Sequence, residues 1–561
     1  MAHYFDAQLK RPKDFNFATD VVDYWAKKAE KGCAMHWISQ DRKQERRLSF
    51  EHFSRQSHRL AVLFRDKLGV QKGEKMLIIM PRLPEWWEIA TAGIRSGIVI
   101  CPATTLLVDK DIEYRANRSK ASVFLGDSVA VRKMLKVRKN CPSIQHIFQL
   151  DGEACSDVLL LSEALKSVPR DAKYLGAKPA LKDPSMIYFT SGTTGPPKMV
   201  QHNQISYPLA STITGKHFHR LEPGQLNWVL TEQGWAKAAW AFLGTWNCGA
   251  GIFIHDDRGA FNPKTTLDIL NSYPITTFCA PPTVYRQLVL DESRKYLKRN
   301  PPRSLQHCTG AGEPLNPEVI RLWLETTGME ICDGFGQTET ILLCGNFKGN
   351  PIRPGSMGKP SPGTPLYVVG NDGRETAADV EGDIAIKVDL TEQSNFFGLF
   401  DGYLDEGKLD RKLKECPEEG RAWYSTGDRA VRDKDGYFWF VGRNDDVINS
   451  AGYRIGPFEV ESTLKQHPAV VESAVVSSPD KSRGEVVKAF VVLTAEYAKK
   501  DEEALIKELQ NFCKENAAPY KYPRKIQFVD ASFLPKTISG KIQRKKLKQM
   551  EWSHEEVKAK L

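Results

Sequence analysis

The sequence predicts an α/β protein with a large N-terminal domain of parallel sheets plus a small β-barrel, followed by a small α+β C-terminal domain. Three observations support this prediction. The chain has 561 residues, more than one hydrophobic core normally serves. Strand-sized apolar runs alternate with helical patterns between residues 50 and 290. Short strand-like runs separated by turn residues follow at residues 355–440, and a mixed pattern of helices and strands begins near residue 445.

The N-terminal region shows the β-α-β rhythm of a parallel sheet covered by helices. Residues 75–80 form an apolar run of strand length, and residues 84–95 follow with a helical pattern. Residues 97–100 and 250–254 are further apolar runs of the same kind. We therefore expect buried strands at these positions, joined by helices on the faces of the sheet.

Short strands with Gly, Pro and Asp turns characterise residues 355–440. Residues 365–369 and 436–440 are examples. Such spacing is typical of a small β-barrel or meander. We expect this unit to close the N-terminal domain.

The last 115 or so residues are long enough to bury a small core of their own. We predict helices at 457–467 and 501–515 and strands at 470–477, 486–493 and 526–529. A polar turn at residues 442–446 precedes this unit. The predicted domains are therefore residues 1–444 and residues 445–561.

Composition excludes several classes of protein. The chain is 41% apolar and 26% charged, which is ordinary for a globular protein. Eleven cysteines without a C-x-x-C pair argue against a structural zinc site or a disulfide framework. No apolar run reaches the length of a membrane span. The net charge of +10 suits a protein that handles polyanions, but it also suits an ordinary basic enzyme.

The two termini bear on localisation. Residues 1–20 lack an apolar signal core and carry three aspartates, unlike a presequence. The chain ends in Ala559-Lys560-Leu561, which is similar to the Ser-Lys-Leu peroxisomal signal. We expect a peroxisomal protein, with a cytoplasmic one as the alternative.

The most informative motif combines small residues, hydroxyls and one cation. Small residues let backbone approach a ligand, successive N–H groups bind anions, and a lysine adds a point charge. A predicted strand at 185–189 leads into it, as in many nucleotide sites. It is not a Walker A loop, because prolines precede the lysine and methionine follows it. The motif is Thr190-Ser191-Gly192-Thr193-Thr194-Gly195-Pro196-Pro197-Lys198.

This motif resembles the signature loop of the adenylate-forming enzymes, the acyl-CoA synthetases, luciferases and peptide-synthetase adenylation domains. Five further motifs appear in the order typical of that superfamily. They are Asp333-Gly334-Phe335-Gly336-Gln337-Thr338-Glu339, Tyr424-Ser425-Thr426-Gly427-Asp428, Gly442-Arg443-Asn444-Asp445-Asp446, Ser450-Ala451-Gly452-Tyr453-Arg454-Ile455 and Leu534-Pro535-Lys536-Thr537-Ile538-Ser539-Gly540-Lys541-Ile542-Gln543-Arg544.

The resemblance implies a role for each motif in binding ATP. Asp428 would accept hydrogen bonds from the ribose hydroxyls, and Arg443 would reach ribose or phosphate. Thr338 would contact the α-phosphate and the acyl carbonyl, and Glu339 would hold Mg²⁺, which proteins usually bind through one or two carboxylates plus phosphates. The implied catalytic residues are Lys541, Thr338, Glu339 and Lys198. The remaining implied nucleotide contacts are Thr190, Ser191, Gly192, Thr193, Thr194, Gly195, Asp333, Gly334, Phe335, Gly336 and Gln337.

The resemblance also implies a mobile C-terminal domain that rotates about Asp445. Lys541 would enter the site for adenylation and leave it for thioester formation. Residues 482–490 and 518–525 look like those of the medium-chain acyl-CoA synthetase branch. The implied coenzyme A contacts are Ala451, Gly452, Tyr453, Arg483, Lys514, Tyr522, Pro523 and Arg524.

Gly336 is the main indication of acyl length. Acetyl-CoA synthetases carry tryptophan at the matching position, so glycine is expected to leave the pocket open for a longer or aromatic acid. Trp240 is expected beside this site. The other implied pocket residues are Gly234, Trp235, Thr338 and Arg454.

We therefore expect a ligase that converts a carboxylic acid, preferably a medium-chain fatty acid, to acyl-AMP and then to acyl-CoA. Its cofactors would be ATP, Mg²⁺ and coenzyme A. Its partners would be small molecules, with no nucleic acid and no integral membrane association, and no oligomeric state is predicted. The alternative is an aryl-acid CoA ligase acting on benzoate, phenylacetate or a cinnamate. A non-catalytic adenylate-binding protein, a peptide-synthetase domain and a luciferase-type oxidase fit less well.

Overall fold

The computed structural model describes most of the chain. The described residues are 10–28, 32–153, 157–190, 196–347, 349–390, 396–416, 420–450, 453–480, 483–517, 519–537 and 541–560.

A nine-stranded mixed sheet forms the first layer. Its inner strands pair in parallel, and antiparallel strands complete both edges. In sheet order the strands are β16 (Lys359–Pro360), β15 (Leu342–Gly345), β14 (Ile331–Gly336), β13 (His307–Ala311), β12 (Thr277–Ala280), β10 (Leu226–Val229), β11 (Gly251–His255), β1 (Cys33–Ile38) and β2 (Glu45–Ser49).

A second nine-stranded sheet has the same character. Six strands pair in parallel, and the other three continue one edge in antiparallel fashion. In sheet order the strands are β20 (Lys408–Asp410), β19 (Gly402–Asp405), β9 (Lys198–Asn203), β8 (Pro184–Thr190), β4 (Val99–Ala103), β3 (Lys75–Ile79), β5 (Val123–Gly126), β6 (His146–Gln149) and β7 (Leu159–Leu160).

Two five-stranded sheets complete the fold. The first lies where a small barrel or meander was predicted and is wholly antiparallel. It contains β17 (Leu366–Val369), β18 (Glu381–Asp389), β22 (Arg421–Arg432), β21 (Leu413–Glu415) and β23 (Phe438–Arg443). The second belongs to the C-terminal region and contains β25 (Tyr453–Ile455), β24 (Ile448–Ser450), β27 (Gly484–Leu493), β26 (Val470–Asp480) and β28 (Lys525–Phe528).

The helices cover both faces of the two large sheets and both faces of the C-terminal sheet. They are α1 (Asp23–Lys28), α2 (Phe50–Ala61), α3 (Glu85–Ser96), α4 (Asp109–Ser119), α5 (Ser128–Val137), α6 (Leu161–Ala164), α7 (Ser211–Ile213), α8 (Ala236–Asn247), α9 (Pro263–Ser272), α10 (Pro282–Leu288), α11 (Asp291–Arg299), α12 (Pro317–Thr327), α13 (Pro457–Leu464), α14 (Glu502–Asn516) and α15 (Arg544–Lys560).

The main core lies between the two large sheets. Side chains of both sheets pack there with those of α2, α3 and α8, including the fully buried Trp86 and Trp246. The outer faces are closed by α9–α12 on the first sheet and by α4 and α5 on the second. Such two-sided burial explains why the strands are continuous apolar runs in sequence.

The predicted fold class is confirmed, and the predicted elements lie within a few residues of the observed ones. The helix predicted at 84–95 is α3, and the tail helix predicted at 501–515 is α14. Within the described part of the chain, every helix falls short of the length or the apolar character that a membrane crossing would require.

Candidate active site

The candidate site lies at the carboxyl ends of β13 and β14, facing the hairpin of β22 and β23. Ligands of open α/β sheets usually bind at this edge. Asp428 on β22 stands opposite Arg443 on β23 in the antiparallel register. The Arg443 Nη1 atom donates to both Asp428 carboxylate oxygens, at 3.3 and 3.4 Å. Sheet pairing therefore joins two residues that are fifteen positions apart in sequence.

Asp428 is a buried carboxylate with strong hydrogen-bond donors around it. Gln337 Nε2 donates to its Oδ2 atom at 2.7 Å and to the Thr426 carbonyl at 2.8 Å. Burial raises the pKa of Asp428 to about 6, although Arg443 and Lys541 act to lower it. The group therefore begins to take up a proton not far below neutral pH.

Hydrogen bonds to the backbone carbonyl of Thr338 hold the turn after β14 in place. The Thr338 carbonyl accepts hydrogen bonds from His202 Nε2 at 2.8 Å and from the Tyr207 hydroxyl. Burial lowers the pKa of His202 to about 3, so this ring is neutral and its Nδ1 atom is free to accept from Ser206 at 3.0 Å. These bonds fix the position of Thr338 and of Glu339 after it.

Glu339, Tyr403 and Lys198 form one cluster. The Tyr403 hydroxyl donates to Glu339 Oε1 at 2.7 Å, and Lys198 Nζ lies 4.9 Å from the centre of the Tyr403 ring. Strand β19 brings Tyr403 there because it pairs with β9, whose first residue is Lys198. Burial and the charge of Glu339 raise the pKa of Tyr403, so it keeps its proton and remains a donor.

The Glu339 site is suited to Mg²⁺ only if a ligand supplies the other donors. Among the described residues no group of three or more His, Cys, Asp or Glu side chains could hold a metal ion. One carboxylate whose orientation is set by a tyrosine fits a magnesium ion that is otherwise bound by nucleotide phosphates and water.

Asp333, a predicted nucleotide contact, has a carboxylate that supports the protein backbone in this structure. It accepts hydrogen bonds from the backbone N–H groups of Leu315 at 3.3 Å and Gly334 at 3.0 Å. Burial raises its pKa to about 7. Asp333 therefore fixes the loop that follows β13, which carries Glu313.

Lys541 of the C-terminal region lies within this site. Burial lowers its pKa, with Lys237 and Arg443 adding to that effect, while Glu313 and Asp428 raise it. The residue nevertheless keeps solvent access. Its loop is closed by Thr537, whose N–H donates to the Lys541 carbonyl at 2.7 Å. The structure thus places Lys541 close enough to Asp428 and Arg443 for their charges to interact.

Several predicted residues lie elsewhere or outside the described part. The phosphate-loop residues Ser191, Gly192, Thr193, Thr194 and Gly195, and Ala451 and Gly452 of the predicted coenzyme A site, are outside the described residues. Thr190 ends β8 and pairs with Lys198 across the loop. Tyr453 and Arg454 lie in β25, where their backbones pair with Ser450 and Asn449.

The described residues that were predicted to contact coenzyme A lie in two separate parts of the C-terminal region. Lys514 Nζ and the Arg524 guanidinium lie 4.5 and 4.9 Å from the centre of the Tyr522 ring, and Arg524 also donates to the Tyr522 hydroxyl at 2.8 Å. Arg483 is exposed in the turn between β26 and β27, and its N–H donates to Asp480 at 3.0 Å. The Pro523 carbonyl accepts from Gln510 at 3.1 Å.

The acyl pocket differs from the expectation at two glycines. A Cβ atom at Gly336 would lie 2.6 Å from the Ile341 carbonyl oxygen and 2.7 Å from the Trp240 ring. The space beside Gly336 is therefore occupied by Trp240, which is buried, and the glycine permits this close approach. A Cβ at Gly234 would lie 2.3 Å from the Thr104 nitrogen, so Gly234 serves backbone packing. Trp235 is half-buried at the start of α8.

Sequence reasoning missed several residues of the site. Lys237, which donates to the Ala311 carbonyl at 3.1 Å, lies close enough to Asp333 and Lys541 to affect the pKa of both. Glu313 faces Lys541, and Tyr403 orients Glu339. The run of small residues Gly310-Ala311-Gly312, at the end of β13, could have indicated the turn that carries Glu313. No motif around Tyr403 indicates a role in the site, because only the pairing of β19 with β9 brings it there.

Comparison with known families agrees with this geometry. The sequence model of the family described as "AMP-binding enzyme" matches residues 22–404. The model described as "AMP-binding enzyme C-terminal domain" matches residues 459–541.

Curated relatives match over nearly the whole chain. Acyl-coenzyme A synthetase ACSM5 of Homo sapiens, named as mitochondrial, is 44% identical over 547 residues, covering 96% of this chain and 91% of the relative. Acyl-coenzyme A synthetase ACSM3 of Mus musculus, also named as mitochondrial, is 42% identical over 553 residues, covering 98% and 92%.

A solved structure of the anthranilate CoA ligase AuaEII with anthranoyl-AMP superposes with a TM-score of 0.82 at 28% identity, covering 97% of this chain and 98% of that one. A Brucella canis acyl-CoA synthetase gives 0.72 at 30% identity, covering 98% and 97%.

These relatives correct the expected localisation. The prediction that Ala559-Lys560-Leu561 directs the chain to peroxisomes is wrong, because the relatives are named as mitochondrial proteins. Ala559 and Lys560 are the last residues of the lysine-rich helix α15.

The predicted family and the predicted enzyme class are both confirmed. The order of the motifs, the proximity of Lys541 to Asp428, and the matches over both parts of the chain agree. The chain therefore belongs to the AMP-binding enzyme family and, within it, to the medium-chain acyl-coenzyme A synthetases, AMP-forming acid–thiol ligases that use ATP, Mg²⁺ and coenzyme A.

Proposed function

We propose that this chain activates a medium-chain fatty acid, with the nucleotide held between residues 1–444 and the C-terminal domain of residues 445–561. The observation that carries the proposal is that Lys541 lies close enough to the Asp428–Arg443 pair for their charges to interact. A lysine from one domain then faces the nucleotide residues of the other. This is the arrangement that adenylate formation requires.

Asp428 would bind the ribose of ATP. Its two carboxylate oxygens can accept from two neighbouring hydroxyls, and burial among Arg443 and Gln337 fixes their direction. On binding, the ribose hydroxyls would take over acceptor sites on a carboxylate that protein donors already orient. Arg443 would then be free to contact ribose or phosphate oxygens.

In the first step a carboxylate oxygen of the acid attacks the α-phosphorus, and pyrophosphate leaves with the electrons of the broken P–O bond. Both reactants are anionic, so cations must offset their repulsion and the charge that develops. Lys541 would act on the α-phosphate and acyl oxygen, and Lys198, at the end of the phosphate loop, on the outer phosphates. Losing one group that stabilises the transition state in this way typically costs ~3–4 kcal/mol, about 10²–10³ in rate.

Glu339 would hold Mg²⁺, which when bound neutralises phosphate charge. The protein's own contribution is orientation. Tyr403 donates to one carboxylate oxygen, and the backbone at Thr338 is fixed by His202 and Tyr207. These contacts keep Glu339 in place before the nucleotide binds.

In the second step the thiol of coenzyme A loses its proton and attacks the acyl carbonyl, and AMP leaves. No protein cysteine is required, because the substrate supplies the sulfur. We propose that the cations of Lys514 and Arg524, grouped around Tyr522, bind the phosphates of coenzyme A. Arg483 would add to this binding, while Asp445 would serve as the hinge between the two steps.

The preferred length of the acyl chain of the substrate depends on the shape of the pocket. Trp240 packs against Gly336 at the α8 side of the site, so it, and not an empty space, would limit the acyl chain. The aryl-acid alternative has support from the fold similarity to the anthranilate CoA ligase. The fatty-acid function and the aryl-acid function both predict an apolar pocket, but they predict different preferred substrates.

The test is acyl-CoA formation with acetate, butyrate, hexanoate, octanoate, decanoate, palmitate, benzoate and phenylacetate. We expect kcat/KM to rise about fourfold for each buried methylene, which corresponds to ~0.8 kcal/mol, and to peak between six and ten carbons. A maximum at benzoate or phenylacetate would instead establish the aryl-acid function. Lys541→Ala is the matched control for contaminating ligases.

A further inference from the structure

An ion-paired connection crosses from the N-terminal domain to the C-terminal domain at Arg286. Arg286, on α10, donates through Nη2 to Glu313 Oε1 at 3.3 Å. The same nitrogen lies 3.9 Å from Glu472 Oε2 on β26. Arg286 thus lies between the loop that faces Lys541 and a carboxylate of the other domain.

The C-terminal partner is held firmly in its own domain. Lys465 Nζ lies 2.5 Å from Glu472 Oε1, and the Ser473 N–H donates to the same oxygen at 3.2 Å. The register of β26 against β27 shifts between Val470 and Glu472, so Val471 is an extra residue. A bulge of this kind re-aims the next side chain. Glu472 is consequently presented to Arg286 and is only 16% exposed.

The N-terminal partner is linked to the reaction. Glu313 interacts electrostatically with Lys541 and with Arg544, three residues later. Arg544 is itself fixed by a bidentate pair with Glu461, at 3.0 and 2.7 Å. Arg544 therefore attaches the chain just after Lys541 to its own domain, and Arg286 connects Glu313 to the other domain through Glu472.

We propose that Arg286 and Glu472 are positioning residues that hold the C-terminal domain in the orientation in which Lys541 reaches the nucleotide. Neither residue touches the reacting atoms. The proposal rests on the two half-reactions of the proposed function, and it assigns the pair to the first of them. Breaking the pair should disfavour adenylation relative to thioester formation.

The ratio of the two half-reaction rates is the appropriate measurement. Adenylation is followed as single-turnover pyrophosphate release, and thioester formation as acyl-CoA production from supplied acyl-AMP. If the pair sets the fraction of molecules in the adenylation orientation, the ratio changes by the same factor wherever the equilibrium lies. Misfolded protein lowers both rates equally and cancels in the ratio.

Glu472→Gln keeps the shape of the side chain and removes its charge. We expect the adenylation-to-thioester ratio to fall two- to fivefold, the range of partly exposed ion pairs. Raising the salt concentration to about 0.5 M should bring the wild-type ratio toward that of the variant, because salt screens such pairs. Glu508→Gln is the matched control, since Glu508 pairs at 3.1 Å with His467 inside the C-terminal domain. Its ratio should stay at the wild-type value.

A double-mutant cycle separates the pair from two independent effects. Arg286→Gln combined with Glu472→Gln should lower the ratio no further than Arg286→Gln alone. The proposal is overturned if Glu472→Gln leaves the ratio unchanged, or if the two substitutions multiply. Wild-type pyrophosphate release serves as the reference: its absence would contradict the proposed function and not the positioning pair.

Discussion

The hydroxyl of Tyr403 provides a sharp test of how Glu339 is positioned. Tyr403→Phe removes the 2.7 Å hydrogen bond to Glu339 Oε1 but keeps the ring that lies 4.9 Å from Lys198. A hydrogen bond to a charged group contributes about 1.5–3 kcal/mol. If half of this is needed to hold Glu339 for Mg²⁺ in the transition state, adenylation should slow about four- to twelvefold.

The assay is pyrophosphate release at several Mg²⁺ concentrations. We expect Tyr403→Phe to need more Mg²⁺ for its half-maximal rate, because the carboxylate is no longer held in one orientation. Thioester formation from supplied acyl-AMP should change little.

The matched control is Tyr437→Phe. Tyr437 also lies beneath cations, with Arg353 and Lys359 at 4.3 and 4.8 Å from its ring, and it donates at 2.6 Å to the Pro351 carbonyl away from the site. Its loss should lower thermal stability but leave the Mg²⁺ dependence alone. Normal adenylation and a normal Mg²⁺ profile in Tyr403→Phe would refute the positioning argument.

Three further predictions concern the nucleotide, the acyl chain and the hinge. Because the pKa of Asp428 is raised to about 6, its carboxylate protonates and loses acceptor sites as pH falls through 6, so KM for ATP should rise below pH 6. Asp428→Asn should have a high KM for ATP without this pH dependence. A wild-type KM for ATP that stays constant down to pH 5 would contradict this prediction. Trp240→Leu should shift the kcat/KM maximum toward acids longer by two or more carbons, since Trp240 fills the space at Gly336; an unchanged profile would remove Trp240 from the pocket. Asp445→Pro should slow overall turnover at least tenfold while sparing one half-reaction, and unimpaired turnover would argue against a hinge there.

Local signals in the sequence were sufficient for the elements that are buried on both faces. The strand expected at 75–80 is β3, Lys75–Ile79, because an uninterrupted apolar run of that length fits a parallel strand covered by helices. The C-terminal strands expected at 470–477 and 486–493 are the cores of β26 and β27. The short hairpin of β24 and β25 was not predicted, since three-residue strands carry too little periodicity.

The candidate site was predictable where a motif is contiguous, and not where distant strands assemble it. Asp428 and Lys541 were recognised from their own motifs and lie together. Tyr403 and Arg286 were not, because their roles depend on strand β19 joining the second sheet and on α10 facing β26. Trp240 was expected beside Gly336, but the sequence did not show that its ring, carried by α8, occupies the space that the glycine alone would leave open.

Exchange of labelled pyrophosphate into ATP, without coenzyme A, tests the central claim most directly. With octanoate and Mg²⁺ we expect the wild-type protein to catalyse this exchange, and Lys541→Ala to reduce it 10²–10³-fold while still converting supplied octanoyl-AMP to octanoyl-CoA. If the wild-type protein gave no exchange with any acid of the series, or if Lys541→Ala lost both half-reactions equally, the account would be contradicted.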